Sequence, residues 1–475
     1  MRQALSVASE CVPLIKTGGL ADVVGALPGA MATQDWELRT LLPGYPTVMR
    51  QVPRAKQVWK SSDLFGGSAR VVAAKIDGLD LLILDAPHLY DRDGTIYLGT
   101  NGQDYSDNPE RFAALSWVAA ELATKGIGDW QPEVLHLHDW QAALTPWYLR
   151  AMGGSAGTLL TIHNVAFHGI APAARLNTLR LPPDGFTSDG FEFWGQINML
   201  KAGIVAADQI STVSPSYAHE LTTPEFGMGL DGVLSGRSHD LSGVLNGIDT
   251  GVWNPASDPL ISTHFKTARG KAKAKAELEK EFGLPAADGP LCIVVSRLTT
   301  QKGLDLLLDA LPALVDRGGR LAMLGSGDRQ LENAWLRAAE EHPHVAVRIG
   351  YDEPLSHRMF AGADSVLVPS RFEPCGLTQL YGLRYGAVPV VALTGGLVDT
   401  VIPANAAALS AGVATGLQFH PITVDALAHS LIRLCELFDD TSTWTCLQRN
   451  GMKHPVGWDN SARDYADIYD RLCSQ

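Results

Sequence analysis

What this chain lacks is the first guide to it. Its six cysteines (Cys11, Cys292, Cys375, Cys435, Cys446 and Cys473) contain no Cys-x-x-Cys pair. That excludes a disulfide framework and a cysteine zinc site, and it suits a reducing cytosol. No apolar run approaches the roughly 18 residues of a membrane span. The opening MRQALSVASE sets charges on both sides of a very short apolar run, which is not the pattern of a secretory signal. Charged residues are only 19% of the 475, too few for a disordered or coiled-coil chain. Positive charge is in deficit, with 38 Lys and Arg against 51 Asp and Glu for a net −13. A broad grip on nucleic acid or on an anionic membrane is therefore not expected, although a local basic pocket is allowed. No Walker loop occurs, which disfavours a P-loop ATPase. The expectation is a cytoplasmic globular protein.

What the chain does have is alternation. Short apolar runs recur at 4–8, 79–85, 133–138, 158–163, 209–214, 291–296, 320–325, 345–350, 365–370, 387–392 and 415–420. Their near-continuous apolar character is that of parallel strands buried on both faces. Between them lie stretches of helical spacing, such as 303–318 with its recurring Leu. The pattern predicts doubly wound α/β sheets. Eleven strands exceed one comfortable domain of 100–200 residues. The Gly-, Asn-, Asp- and Pro-rich stretch 246–259, followed by a Lys/Ala/Glu helix at 268–281, marks the boundary. Two Rossmann-like domains in tandem follow, with a terminal helix at 460–472 that has no strand after it.

Open α/β sheets bind ligands beyond the carboxyl ends of their strands. The first strand leads into Lys16-Thr17-Gly18-Gly19-Leu20-Ala21-Asp22 and then a helix. This is either an anion cradle of backbone N–H groups with Lys16 as a point charge, or simply a tight turn. His136-Leu137-His138-Asp139 and Ile162-His163-Asn164 end two further strands. The first string could begin a metal site, but nothing nearby completes one. Together the two suggest a polar substrate pocket, with satisfied structural histidines as the alternative. In the second half, Arg297 and Lys302 stand before a helix, where a diphosphate would gain charge-assisted hydrogen bonds; a solvated basic turn is the bland reading. Glu373 precedes Cys375-Gly376-Leu377-Thr378 and either caps the next helix or serves a site there.

KTGGLADVVGALP, HDWQAALTPWYL, TIHNVAFHG, EFGMGLDGVL, LNGID, VSRLTTQKGLD, RFEPCGLTQLYGLRYG and TGGLVDTV resemble the bacterial glycogen synthases and plant starch synthases, in collinear blocks from residue 4 to about 420. The resemblance implies a GT-B fold, two Rossmann-like domains with parallel sheets facing a central cleft. It further implies an N-terminal domain at 1–248 on the acceptor side, rejoined by a C-terminal helix at 455–475, and a nucleotide-sugar domain at 249–454. The implied activity is retaining transfer of glucose from ADP-glucose to the non-reducing 4-hydroxyl of an α-1,4-glucan (glycogen), without a metal or other cofactor. No nucleic acid, membrane or protein partner is implied.

By the same resemblance Lys16, with Gly18 and Gly19, lies near the nucleotide diphosphate. Asp22, Asp139 and Asn164 line the sugar site, His163 stands beside the transferred glucose, and Asn246 lies near it. Arg297 and Lys302 neutralise the leaving diphosphate. Glu373 is the glutamate of the catalytic region, with Cys375, Gly376, Leu377 and Thr378 around sugar and distal phosphate. One departure from the wider retaining GT-B pattern stands out. A second glutamate is expected eight positions after the first, and here that position is Tyr381. Gln141 and His168 are local variants. The rival readings are another GT-B activity (sucrose or trehalose phosphate synthesis) and a catalytically dead polysaccharide-binding protein. KTGGL with FEPCGLTQLYG points away from the former, and the joint presence of Lys16, His163, Arg297, Lys302 and Glu373 from the latter. Because these groups divide between the two halves, both halves are expected to be needed for transfer.

Overall fold

The computed structural model describes residues 1–474. Two compact units divide the chain: Met1–Asn246 with the segment from Trp458 onward, and Gly247–Gly457. The chain therefore leaves the first unit two residues before the expected 248 and returns three residues later than the expected 455. The cause is local. The Ile248 N–H donates to the Val456 carbonyl at 2.8 Å, and Ile248, Trp253 and Val456 pack into the second unit's core.

In chain order the first unit carries β1 (Arg2–Val7), β2 (Trp36–Pro43), β3 (Lys56–Ser61), β4 (Ala69–Ile76), β5 (Leu79–Asp85), β6 (Val134–His138) and β7 (Gly157–Ile162). It continues with β8 (Ile170–Pro172), β9 (Glu192–Phe193), β10 (Gln196–Asn198), β11 (Gln209–Thr212) and β12 (Leu241–Gly243). Nine of these form one sheet in the order β12-β11-β7-β6-β1-β2-β5-β4-β3. It is parallel except at the edge, where β4 runs antiparallel to β5 and β3 to β4. β8, β10 and β9 make a separate small antiparallel sheet.

The second unit holds β13 (Leu291–Val295), β14 (Arg320–Gly325), β15 (Val345–Ile349), β16 (Ser365–Val368), β17 (Val388–Ala392) and β18 (Leu417–Phe419). They form one sheet in the order β15-β14-β13-β16-β17-β18, parallel throughout. Apolar cores cover it on both faces, which is why its strands read as unbroken apolar runs.

Two helix expectations are corrected. The stretch 303–318 is broken into Leu304–Ala310 and Pro312–Val315, because Pro312 has no amide hydrogen and its ring crowds the preceding turn. The helix expected at 268–281 opens with a 3-10 turn at Ala268–Gly270 and becomes α-helical over Lys271–Phe282.

The terminal helix Asp459–Leu472 buries Ala462, Tyr465, Ala466, Ile468, Tyr469 and Leu472, a helical i, i+3, i+4, i+7 stripe. The stripe packs on the first sheet beside Val23, Leu27 and Met31 of the helix Gly19–Ala32. Tyr469 meets Trp36 edge-on at 5.0 Å. At Gly157 the approach is so close that a Cβ would lie 2.8 Å from Leu472. Each large side chain of the stripe contributes about 1.5–3 kcal/mol by burial. No helix of the described residues is long and apolar enough to cross a membrane.

Candidate active site

Each sheet has one point where strand order reverses. In the first it flanks β1, which sits between β6 and β2; in the second it flanks β13, between β14 and β16. Crossover helices diverge there and leave a crevice at the carboxyl edge. Most of the polar residues singled out by sequence follow the strands at these two points, while His163 and Asn164 follow β7, one strand further out, and Asn246 follows the edge strand β12.

In the first unit, β6 delivers His138 and Asp139, and β7 delivers His163 and Asn164. Asp139 is buried and held at φ 54°, a left-handed conformation that a short polar side chain tolerates. Its Oδ1 accepts the backbone N–H groups of His163 at 2.7 Å and Asn164 at 3.4 Å. Burial nevertheless pushes its carboxyl up to about 7, against those hydrogen bonds.

Behind it runs a chain of buried hydrogen bonds. His163 Nε2 meets His138 Nδ1 at 2.9 Å, and His138 Nε2 meets Ser6 Oγ at 3.1 Å. In parallel, His136 Nε2 meets Thr161 Oγ1 at 2.6 Å, and His136 Nδ1 meets the Tyr469 hydroxyl at 2.8 Å. Desolvation holds His163 and His136 down to about 3 and His138 well below its usual value. These are neutral rings at physiological pH. Of the His163 ring nitrogens, Nδ1 is the one this chain leaves for a ligand. Among the described residues no three His, Cys, Asp or Glu side chains gather as a metal ion would need.

The glycine turn after β1 holds a group that sequence reasoning missed. The Glu10 carboxylate accepts from the Thr17 N–H at 2.5 Å, the Thr17 hydroxyl at 2.9 Å and the Gly18 N–H at 3.2 Å. The Tyr97 hydroxyl adds a contact at 3.4 Å. Burial raises the Glu10 pKa, while the Thr17 and Gly18 hydrogen bonds oppose the rise. Part of the turn's N–H array thus already faces an internal anion. Lys16 pairs with Asp22 at 2.8 Å. Gly18 is extended, with open space where a Cβ would stand, and Gly19 begins the helix. Asn246 is buried, and its Oδ1 has no hydrogen-bond partner among the described residues.

In the second unit, β13 delivers Arg297 and Lys302, and β16 delivers Glu373. Lys302 Nζ meets Glu373 Oε2 at 2.5 Å, and the Ser370 hydroxyl donates to the same oxygen at 2.8 Å. Glu373 therefore does not cap the helix Thr378–Tyr385, whose first turn has no side-chain cap. Arg297 is exposed, and its guanidinium makes no hydrogen bond or ion pair among the described residues.

Glycines fix the height of these turns. A Cβ on Gly303 would lie 1.9 Å from the Pro369 carbonyl oxygen, on Gly395 2.1 Å from that of Glu373, and on Gly396 2.3 Å from that of Cys375. The Gly396 N–H donates to the Glu373 carbonyl at 3.1 Å. Gln379 Nε2 ties the Cys375 and Gly376 carbonyls to Thr400 at 2.7–3.1 Å. Cys375 is buried, Gly376 has φ 73°, Leu377 lies just before the helix, and Thr378 opens it. Tyr381, where the second glutamate was expected, stacks on Trp253 at 3.8 Å; His357 lies against the same indole at 3.7 Å. An aromatic stack occupies that position.

Two parallel-sheet units, each with charged and glycine-bearing turns at its topological switch point, define a glycosyltransferase of the GT-B class. Residues 3–236 match the family model described as starch synthase catalytic domain, and residues 289–436 that described as glycosyl transferases group 1. The glycogen synthase of Paracoccus denitrificans (strain Pd 1222) is 58% identical over 475 residues, covering 100% of both chains. That of Jannaschia sp. (strain CCS1) is 60% identical over 469 residues, 99% of each. The catalytic domain of starch synthase IV from Arabidopsis thaliana, bound to ADP and acarbose, superimposes with a TM-score of 0.88 at 30% identity over 100% of both chains. Sucrose-phosphate synthase from Thermosynechococcus elongatus, at 18% identity and TM-score 0.61, shares the fold alone. The chain belongs to the bacterial glycogen synthase family and is an enzyme of glycogen biosynthesis.

Proposed function

We propose that the enzyme transfers glucose from ADP-glucose to the non-reducing 4-hydroxyl of an α-1,4-glucan with retention at the anomeric carbon. The observation that carries this reading is the second switch point, where a cation pair, one member exposed and unpaired and one bound to a buried carboxylate, stands among glycine-pinned turns. As the bond from C1 to phosphate oxygen breaks, its electron pair goes to the diphosphate. Arg297 and Lys302 stabilise that growing charge, typically the largest catalytic contribution. Glu373 orients the glucose. A same-face substitution fits, in which the acceptor 4-oxygen bonds to C1 and its proton passes to the departing phosphate. The family member bound to ADP and acarbose agrees with a nucleotide and a sugar chain as ligands.

The first unit's part is recognition of the sugar. Neutral His163, its Nε2 engaged by His138, offers Nδ1 to a glucose hydroxyl. Asn246 offers its unpartnered Oδ1, and a buried acceptor left unsatisfied costs about 1–3 kcal/mol that a ligand hydroxyl recovers. Incorporation of radiolabelled glucose into glycogen from ADP-glucose and from UDP-glucose tests the reading. ADP-glucose is the expected donor, and transfer from UDP-glucose alone overturns that choice.

A further inference from the structure

The small sheet of the first unit carries a feature that the transfer reaction does not use. β9 and β10 pair through Phe193 and Gln196, so Trp194-Gly195 is a two-residue hairpin turn. Both turn residues have positive φ, 51° for Trp194 and 78° for Gly195. That is the signature of the type I′ turn, whose favoured pair is Asn-Gly. A bulky aromatic residue at positive φ is a backbone outlier. Trp194 is moreover 84% exposed, and its ring contact among the described residues is an edge-on one to its chain neighbour Phe193 at 6.2 Å.

The turn stands on a rigid base. Buried Lys201 donates from Nζ to the Ser188 and Glu192 carbonyls at 2.6 and 2.7 Å. The Gly195 N–H donates to Glu192 Oε1 at 2.6 Å, and Asn198 Nδ2 bonds His168 Nδ1 at 3.1 Å. Other exposed apolar side chains lie on the same small sheet and on the segments packed against Phe193: Phe167 at 56%, Met228 at 45% and Ile170 at 39%. Ile170 lies opposite Asn198 across the sheet. His168 packs on Phe193 at 5.4 Å, and Gly229, next to Met228, lies against the same Phe193 ring. The patch is continuous with the sugar-binding strand end, since the Phe167 N–H donates to the Asn164 carbonyl at 3.3 Å.

Charge narrows the occupant. No Lys or Arg occurs in 163–170, 189–200 or 225–229, while Asp189, Glu192 and Glu225 do. Lys201 is spent on carbonyls. A nucleotide, nucleic acid or lipid phosphate finds no counter-charge here. A neutral polymer of hydroxylated rings, whose C–H faces lie flat on an indole, fits an apolar plane with an acidic, hydrogen-bonding rim.

We propose that Trp194, with Phe167, Ile170 and Met228, is a platform for the acceptor glucan, holding glucose units away from the one that receives the transferred sugar. The proposal rests on the glucan-acceptor reading above. Its test is Trp194→Asn, which installs the residue the turn prefers, with Trp194→Phe as the conservative control. Asn is expected to keep or raise the melting temperature. It should also raise the KM for glycogen roughly tenfold, with loss of retardation in glycogen-containing native gels. The KM for ADP-glucose should stay within about twofold, because no phosphate contact is touched. Phe should restore most of the glycogen affinity. Unchanged glycogen KM and retardation in the Asn variant overturn the platform. So does a fall in its solution mass, which would make the patch a self-association face. If the unaltered enzyme transfers glucose to no glucan, the functional reading itself fails, independently of Trp194.

Discussion

Lys302 is the residue whose removal says most about the chemistry. Its ammonium lies 2.5 Å from Glu373, with the two side chains 18% and 9% exposed. Lys302→Ala therefore does two things at once. It strips a buried carboxylate of its counter-ion, leaving only the Ser370 hydroxyl, and it deletes a positive charge from the proposed diphosphate site. Breaking a buried pair costs about 3–5 kcal/mol, here toward the lower end because Ser370 remains. Loss of one preorganised charge or donor at a transition state lowers kcat roughly 10²–10³-fold, about 2.7–4 kcal/mol. Glu373→Gln separates the two effects, since it removes the charge that needs Lys302 while preserving shape. The double variant should unfold at nearly the temperature of Glu373→Gln, the stranded carboxylate being gone. If Lys302 meets the leaving group, its kcat should still fall about 10²-fold below Glu373→Gln. Thermal unfolding and ADP release at saturating donor and glycogen read both quantities. A double variant as active as Glu373→Gln would confine Lys302 to orienting the carboxylate, and near-normal kcat in Lys302→Ala would remove it from catalysis altogether.

Asp139, raised to about 7 by burial from its usual 3.8, keeps a proton in the native state that the unfolded chain releases. Native stability from this group thus falls as pH rises from about 4 to 7 and is level above. Asp139→Asn, which also tolerates φ 54°, should gain stability relative to the parent across that window in urea titrations; a pH-independent difference would refute the raised pKa. Tyr469→Phe leaves His136 Nδ1 buried without its 2.8 Å partner and should cost about 1–3 kcal/mol of first-unit stability by denaturant unfolding; an unchanged midpoint would deny that hydrogen bond any net worth. Gly18→Ala should leave stability within about 0.5 kcal/mol yet raise the KM for ADP-glucose, the open space there being where phosphate would approach. Gly303→Ala, at φ 65° and facing Pro369 O, should instead destabilise by about 2 kcal/mol or more. Equal thermal shifts in the two alanine variants would contradict the geometry of both turns.

The sheet interiors were legible because strands buried on both faces announce themselves as apolar runs. All six strands of the second sheet lie within the runs read from sequence, and so do β5, β6 and β11; β1 and β7 overlap theirs but begin two residues and one residue earlier. β2, β3 and β4 were not read. β2 carries Glu37 and Arg39, which bond each other at 2.9 Å while Arg39 covers Trp130. β3 is a largely exposed antiparallel edge, where polar interruption is normal. The strands of the small sheet are two or three residues long, too short for any periodicity.

The strand-end rule singled out His163, Asp139, Arg297 and Glu373, and the structure sets each of them beyond the carboxyl end of a strand. It could also have located Glu10, which follows β1 by three positions, had that strand's own end been inspected as closely as the glycines beyond it. The Lys302–Glu373 and Lys16–Asp22 pairings were out of reach, because charge partners are set by the turns' three-dimensional course and not by spacing.

The terminal helix has a consequence for how the protein comes into being. A ribosome making the chain at about 5–20 residues per second finishes Asn246 long before it reaches Trp458, since all of Gly247–Gly457 intervenes. For roughly 10–40 s the nascent first unit has its large sheet's residues available but presents Trp36, Met31, Val134 and the His136 ring uncovered. The second unit's residues are made during that wait, whereas the first unit is completed only by the helix Asp459–Leu472. The first unit, begun first, thus cannot be finished before the second has been made, and until then its apolar face is open to aggregation.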